Sequence, residues 1–358
     1  MSIRTYRFHA IINKLSTTKS SHQPAYPSNR YTTSSSVPHS PITTNYVPNE
    51  PSSPSMCTNI PGPKSIEHLQ SIDTIQDMKS IHFVADYNKS LGNYIVDADG
   101  NTLLDVFNQI SSIPIGYNNT HIIDELLQNQ QFIQSFVNRP ALGIAPDITW
   151  NKLLHDSLLR IAPSGLTQVA TLMCGSCANE VAWKSAFMYY RYQHRLVNNI
   201  PNFTASELSS CMSNALPGSG NDMCILSFNS SFHGRLFGSL SCSRSKDIHK
   251  IDIPAFDWPA ADFPMLRYPL SENIEYNQNE EQRCIDHVEY IINNNNKKVV
   301  CIVVEPILAE GGDLHASNQF FQSLRELCTR YEILFMVDEV QTGGGACGMM
   351  IHIFIDIL

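Results

Sequence analysis

Apolar and polar positions follow two rhythms along this chain. Lys298–Ile307 and Ile333–Val340 are nearly continuous apolar runs, and residues 318–332 between them have helical spacing. Buried strands joined by an amphipathic helix predict a parallel βαβ unit. Upstream, Tyr94–Val96 and Asn101–Phe107 flank Asp97-Ala98-Asp99-Gly100, whose Asp-Gly step between apolar runs is a hairpin signal. Residues 115–119 read as a turn. Helices are predicted over 121–136 and 148–161, and a short strand over 167–173. Val181, Ala182, Ala186, Tyr189, Tyr190 and Leu196 give 179–196 the period of a long helix. A strand over 223–228, a long loop over 251–269 and a helix over 279–294 complete the body. There is no internal repeat. The fold class is therefore α/β.

Composition and charge change the picture at the ends. The first 49 residues hold five basic residues and no acid, which leaves 19 basic and 33 acidic residues for 50–358. An acid-free leader containing Arg4, Arg7 and Arg30 and rich in Ser and Thr has the composition of a mitochondrial transit peptide. It predicts the mitochondrial matrix. The Pro- and Ser-rich stretch that follows reads as a linker, with order expected near Ile60 or Ser65. The net charge of -9 argues against a protein that coats nucleic acid. No apolar run is long enough for a membrane span. Ten cysteines are scattered, several in apolar segments, as expected of reduced thiols rather than a disulfide scaffold. Met349–Leu358 is an apolar tail after a glycine-rich turn, read either as a last buried strand or as a foreign end.

Three groups could carry chemistry beyond the carboxyl ends of the strands, where open α/β sheets gather ligands. Cys174-Gly175-Ser176-Cys177 lies between a strand and a helix. Glycine, a hydroxyl and free helix N–H groups make a phosphate seat. The same word is a Cys-x-x-Cys, open to reading as a redox dithiol, half a metal site or two ordinary cysteines. Phe232-His233-Gly234-Arg235 offers a ring to stack and a guanidinium for a carboxylate, or an ordinary turn. Glu305, Glu310 and Asp338, with Val340 and Gln341, follow the two apolar strands. An aspartate at that rim could hold the protonated nitrogen of a pyridine ring, or simply accept helix N–H bonds.

Taken with Asn108–Tyr117, Met173–Glu180, Ile248–Pro254, Val304–Ile307, Glu310–Asp313 and Val337–Gly345, these words carry a resemblance. Over roughly residues 58–348 the chain resembles the class III aminotransferases of fold type I, in their 4-aminobutyrate branch. The branch acting on ornithine or another ω-amino acid is the neighbouring reading. The resemblance implies pyridoxal 5'-phosphate as coenzyme. It implies Gly175 and Ser176 at its phosphate, Phe232 on its ring, Asp338 at its ring nitrogen, and Val340 and Gln341 beside it. Arg235 and Glu310 would face substrate. Cys174 and Cys177 would be half the ligands of a [2Fe-2S] cluster shared across a homodimer. The reaction implied is ping-pong transfer from 4-aminobutanoate to 2-oxoglutarate.

The chain also departs from the family pattern. No lysine follows Lys298, whereas the family carries its coenzyme-binding lysine about thirty residues beyond the aspartate. The expectation is therefore a fold type I large domain, mostly parallel and incomplete, preceded by an N-terminal segment and lacking the C-terminal small domain. Its expected layout is leader 1–49, linker 50–64, N-terminal segment 65–160, partial coenzyme domain 161–348 and tail 349–358. Normal turnover is not expected of this 358-residue chain.

Overall fold

A computed structural model describes residues 47–138, 144–200, 202–348 and 350. The expected leader lies almost wholly, and the tail largely, outside the described residues. The described residues belong to one unit.

Among the described residues, six short strands form two sheets. In the first, β1 (Tyr94–Val96) pairs antiparallel with β2 (Thr102–Leu104), with Tyr94 opposite Leu104. The Asp-Gly hairpin is therefore present. Its turn is locked by Asp97, whose Oδ1 accepts N–H bonds from Asp99 (3.0 Å) and Asn101 (2.8 Å). Gly100 takes φ +91°, a conformation that favours glycine. Residues 50–64, read as a linker, dock on this hairpin. Ser55 pairs with Thr102, and Asn101 Oδ1 accepts from Cys57 N (2.6 Å) and Thr58 N (2.8 Å). Asp99 accepts from Lys64 and Ser65 at the start of α1 (Pro63–Asp73), satisfying helix N–H groups that Gly62 cannot.

Downstream, two expected helices are each broken once. The first divides into α2 (Thr120–Gln128) and α3 (Gln130–Asn138) at the extended Asn129, whose side chain accepts from Gln131 N. The second divides into α4 (Trp150–Asp156) and α5 (Leu158–Ile161) at Ser157. Both breaks fall at residues whose short polar side chains compete with helical backbone bonds. The strand expected over 167–173 does not form. Leu172 and Met173 are exposed, and no neighbouring strand pairs with this segment among the described residues. An apolar run becomes a strand only where another backbone receives its bonds.

The second sheet runs β4 (Ala260–Ala261), β3 (Met223–Phe228), β5 (Lys298–Val304), β6 (Leu334–Val337). All three neighbouring pairs are parallel. β3 is buried at every position and β5 at all but Lys298, so neither shows polar alternation. Helix α6 (Gly175–Val197) packs on β5 and on α8 (Phe237–Cys242), which itself meets β3; α7 (Ala205–Cys211) lies between them in sequence. Helix α9 (Ile274–Asn294) meets β4 and α10 (Asn318–Arg330), and α10 meets β6. Asn179, Trp183 and Ala186 mark the buried stripe of α6. On α10 the stripe is Phe320, Phe321, Leu324, Leu327 and Cys328, and Ser317 caps the helix through Phe320 N. Phe228, Phe263 and Phe320 meet edge-to-face, with centroids 5.5–6.3 Å apart. The βαβ unit expected around 298–340 is β5–α10–β6. Its parallel register brings Val304 beside Val337 and so fixes where the next residues of both strands emerge.

Candidate active site

Two strand ends and two loops converge at the carboxyl rim of the sheet. Asp338 follows β6 and Glu305 follows β5; both are buried. Asp338 Oδ2 meets His233 Nδ1 at 2.8 Å and accepts a 2.8 Å bond from Asn179 Nδ2. The same amide reaches the His233 carbonyl at 2.9 Å. Asp338 Oδ1 accepts from Val340 N at 3.1 Å. Burial alone would push the Asp338 carboxyl up. The hydrogen bond and charge of His233 and the Asn179 bond outweigh it and hold the group below the usual carboxylate range. An ionised Asp338 accepts, so His233 Nδ1 donates. His233 Nε2 is then a buried atom without a partner among the described residues.

The loop carrying Phe232 and His233 is clamped from several directions. Phe232 N donates to Glu305 Oε1 at 2.7 Å. His233 N donates to Ser243 Oγ (2.9 Å), and Ser243 Oγ donates to the Gly234 carbonyl (2.7 Å). Burial first, with the Asp338 charge adding, pushes Glu305 up to about 8 against the opposing bond from Phe232 N. Gly234 sits at φ +114°, and a Cβ there would lie 2.0 Å from Ser176 Oγ. The absence of a side chain lets the serine hydroxyl rest against this loop.

Gly175 begins α6 and abuts Val340: a Cβ would lie 2.6 Å from Val340 Cγ2. Helix α6 starts with Cys174 extended, and the N–H groups of Gly175 and Ser176 at its start have no helical partner. Val340 thus abuts Gly175 and bonds to Asp338, Ser176 lies against Gly234, and Gln341 continues the turn, half-buried. Phe232 is half-buried and packs edge-on against His249 at 5.3 Å. Arg235 is exposed, with its guanidinium 5.8 Å from the Phe232 ring and 3.2 Å from His249 Nε2. Glu310 accepts from Lys246 Nζ at 2.6 Å. His249 lies between these groups, and burial first, then the Arg235 charge, lowers its pKa.

Sequence reasoning gave no role to Asn179, His233, Lys246 or His249. Asn179 had a usable signal, because an amide on the buried stripe of an amphipathic helix needs partners. Lys246 had none: only folding brings it to Glu310, 64 residues away.

Cys174 and Cys177 are free thiols with sulfurs 3.6 Å apart. The Cys177 N–H, then the Cys177 thiol, lowers the Cys174 pKa, and that bond raises Cys177. A [2Fe-2S] cluster takes four protein ligands. This pair supplies two, and no group of three or more His, Cys, Asp or Glu suited to a metal occurs among the described residues. The described residues alone do not fit a complete cluster. A phosphorylated pyridine is different. The uncapped helix start, the side-chain-free Gly175 and Gly234, and the ionised Asp338 match its phosphate and its protonated ring nitrogen.

Comparison with known proteins now decides the family. The aminotransferase class-III family model matches residues 75–353. The chain belongs to the class III aminotransferases. This class III chain is 52% identical over 303 residues to a 4-aminobutyrate aminotransferase of Emericella nidulans, covering 85% of its own length and 60% of the relative's. It is 49% identical over 298 residues to the mitochondrial 4-aminobutyrate aminotransferase of Homo sapiens, covering 82% and 59%. Among solved structures it resembles a lysine aminotransferase of M. tuberculosis, with TM-score 0.67 and 26% identity, over 80% of this chain and 62% of that one. The chain spans about 60% of the length of the curated relatives it matches. The fold is the mostly parallel α/β large domain of fold type I, as expected.

Proposed function

We propose that this protein is a pyridoxal 5'-phosphate-dependent aminotransferase that passes the amino group of 4-aminobutanoate to 2-oxoglutarate. The observation that carries the reading is Asp338, ionised at a buried strand end beside the first turn of α6. The relatives' names supply the substrate, since proteins 49–52% identical to this chain are 4-aminobutyrate aminotransferases. Succinate semialdehyde and glutamate are the products of that transfer.

The coenzyme, when bound, supplies an electron-poor ring that accepts charge from the substrate carbon. The chain's residues provide for it. Ser176 and the first N–H groups of α6 hold the phosphate, aided by Gly175. Asp338 keeps the ring nitrogen protonated, and Asn179 and His233 keep Asp338 ionised and aimed. Phe232 covers one face of the ring, while Val340 and Gln341 border it. Arg235 receives a substrate carboxylate, and Glu310 tempers the local positive charge through Lys246. We place the protein in the mitochondrial matrix, on the composition of residues 1–49 and on the mitochondrial relatives of mammals. A homodimer is the assembly proposed. No helix among the described residues is long and apolar enough to cross a membrane.

A second reading applies to the 358-residue chain. Lys246 is tied to Glu310, Lys250 Nζ donates to the Leu240 carbonyl at 2.8 Å, and Lys184 is exposed on α6. The second reading is that the chain holds coenzyme without turning over, because none of these three lysines is offered to a coenzyme at the Asp338 rim. The test is glutamate formation from 2-oxoglutarate with 4-aminobutanoate, ornithine or lysine as donor. Native protein from its source should favour 4-aminobutanoate, and preference for another donor would overturn the substrate assignment. The purified 358-residue chain should match a blank; glutamate above that blank would refute the second reading.

A further inference from the structure

We propose that Ile351–Leu358, which lies outside the described residues, docks as an antiparallel strand on the open edge of β6. The inference does not rest on the coenzyme reading. β6 is the last strand of its sheet, and among the described residues no strand pairs with it on the side away from β5. Its sequence, Leu334-Phe335-Met336-Val337, holds neither charge nor proline. Leu334 is exposed and the next three residues are half-buried, whereas β5 is buried from Val299 onward. Native edge strands are blunted by charge, proline, a bulge or a covering element. A bare apolar edge is a template for another backbone.

Residues 351–358 have the pattern such an edge requires. Side chains of a strand alternate between its two faces. Ile351, Ile353, Ile355 and Ile357 would share one face, with His352, Phe354, Asp356 and Leu358 on the other. Extended, these eight residues reach about 26 Å, whereas the four of β6 span about 13 Å, so they cover the edge with length to spare. The point of departure sets the direction. The Met350 carbonyl accepts from Gly344 N at 2.8 Å, so at Met350 the chain is still held on the loop that follows the carboxyl end of β6. A strand laid along β6 from there runs back toward its amino end. Parallel pairing would first need a crossover. An antiparallel edge strand on an otherwise parallel sheet is a common arrangement.

The far end of that path is prepared as well. At the amino end of β6 the last turns of α6 and α10 leave a groove of about 570 Å³. Tyr189, Tyr190, Val197 and Leu334 give it apolar walls, which seat Ile357 and Leu358. Lys298 and Arg325 outnumber Glu332 in its lining, a balance that suits Asp356.

The test is amide hydrogen exchange on the 358-residue chain, read by mass spectrometry, with light scattering to record its mass in solution. Residues 351–358 and 334–337 should both be protected, and the protection should survive tenfold dilution. Neighbouring residues of a strand donate to opposite sides, so the double variant Ile353→Pro/Phe354→Pro removes a donor to β6 whatever the register. It should speed exchange over 334–337 by about tenfold or more and leave Met223–Phe228 as slow as before. Three results would overturn the proposal. The first, which needs no variant, is exchange of 351–358 at the rate of an unfolded chain. The second is exchange over 334–337 that the two prolines leave unchanged. The third is protection that fades on dilution together with a dimer, which would make a second copy of the chain the occupant of the edge.

Discussion

At Asp338 burial and hydrogen bonding oppose each other, and the bonds win. At Glu305, one strand away, burial wins. Two carboxyls at one rim therefore carry different charges at neutral pH, and only one suits a protonated ring nitrogen. The Glu305 carboxyl keeps its proton in the fold to about 8, whereas the unfolded chain gives it up near 4.5. Unfolding thus releases a proton between those values, and stability falls as pH rises through that window, by on the order of a few kcal/mol. Urea midpoints of wild type and Glu305→Gln should diverge from about pH 5 to about pH 8, then run parallel. Parallel curves throughout would contradict the assignment. Asn179→Ala leaves a buried carboxylate oxygen and the His233 carbonyl short of a donor, and should cost about 1–3 kcal/mol in urea unfolding. A change within error would show that the amide is not load sharing in this network. Little of this was legible beforehand. The sequence marks Asp338 and Glu305 as strand-end carboxylates, but the charge of Asp338 depends on His233 and Asn179, 105 and 159 residues away, and that of Glu305 on its burial in the fold.

Among elements, those with the strongest pattern were read best. β3 over 223–228 matches to the residue, because six buried positions in a row leave a short apolar run no alternative but a central strand. The long helix is legible too, though it starts at Gly175 rather than 179, since the residues of its first turn carry no apolar period. The segment 167–173 was misread because its apolar content is that of a strand while its pairing depends on distant backbone. The turn at Asn108–Ser111 was also illegible. Its four residues all have positive φ, from 49° to 61°, which no local propensity announces. The meeting of α6 with the Phe232 loop depends on Gly234. Gly234→Ala would combine an unfavourable φ with a clash at Ser176 and should cost about 1–3 kcal/mol. It should also weaken phosphate-ligand binding, measured by calorimetry; binding equal to wild type would separate Gly234 from the seat.

For the whole molecule, the parallel sheet is what makes the site. β5 and β6 run side by side, so Glu305 and Asp338 emerge together, and the start of α6 is brought to the same rim. Family membership rests on the class III family model and on relatives 46–52% identical; that the described residues build a coenzyme cradle is the prediction at this scale. Pyridoxamine 5'-phosphate tests that claim best, because it carries the phosphate and the protonatable ring but has no aldehyde to react with surface lysines. Calorimetric titration of the 358-residue chain should show saturable binding at one site per chain. Asp338→Asn should weaken it by about tenfold or more, equal to roughly 1.4 kcal/mol. No saturable binding, or an unchanged affinity in Asp338→Asn, would contradict the account.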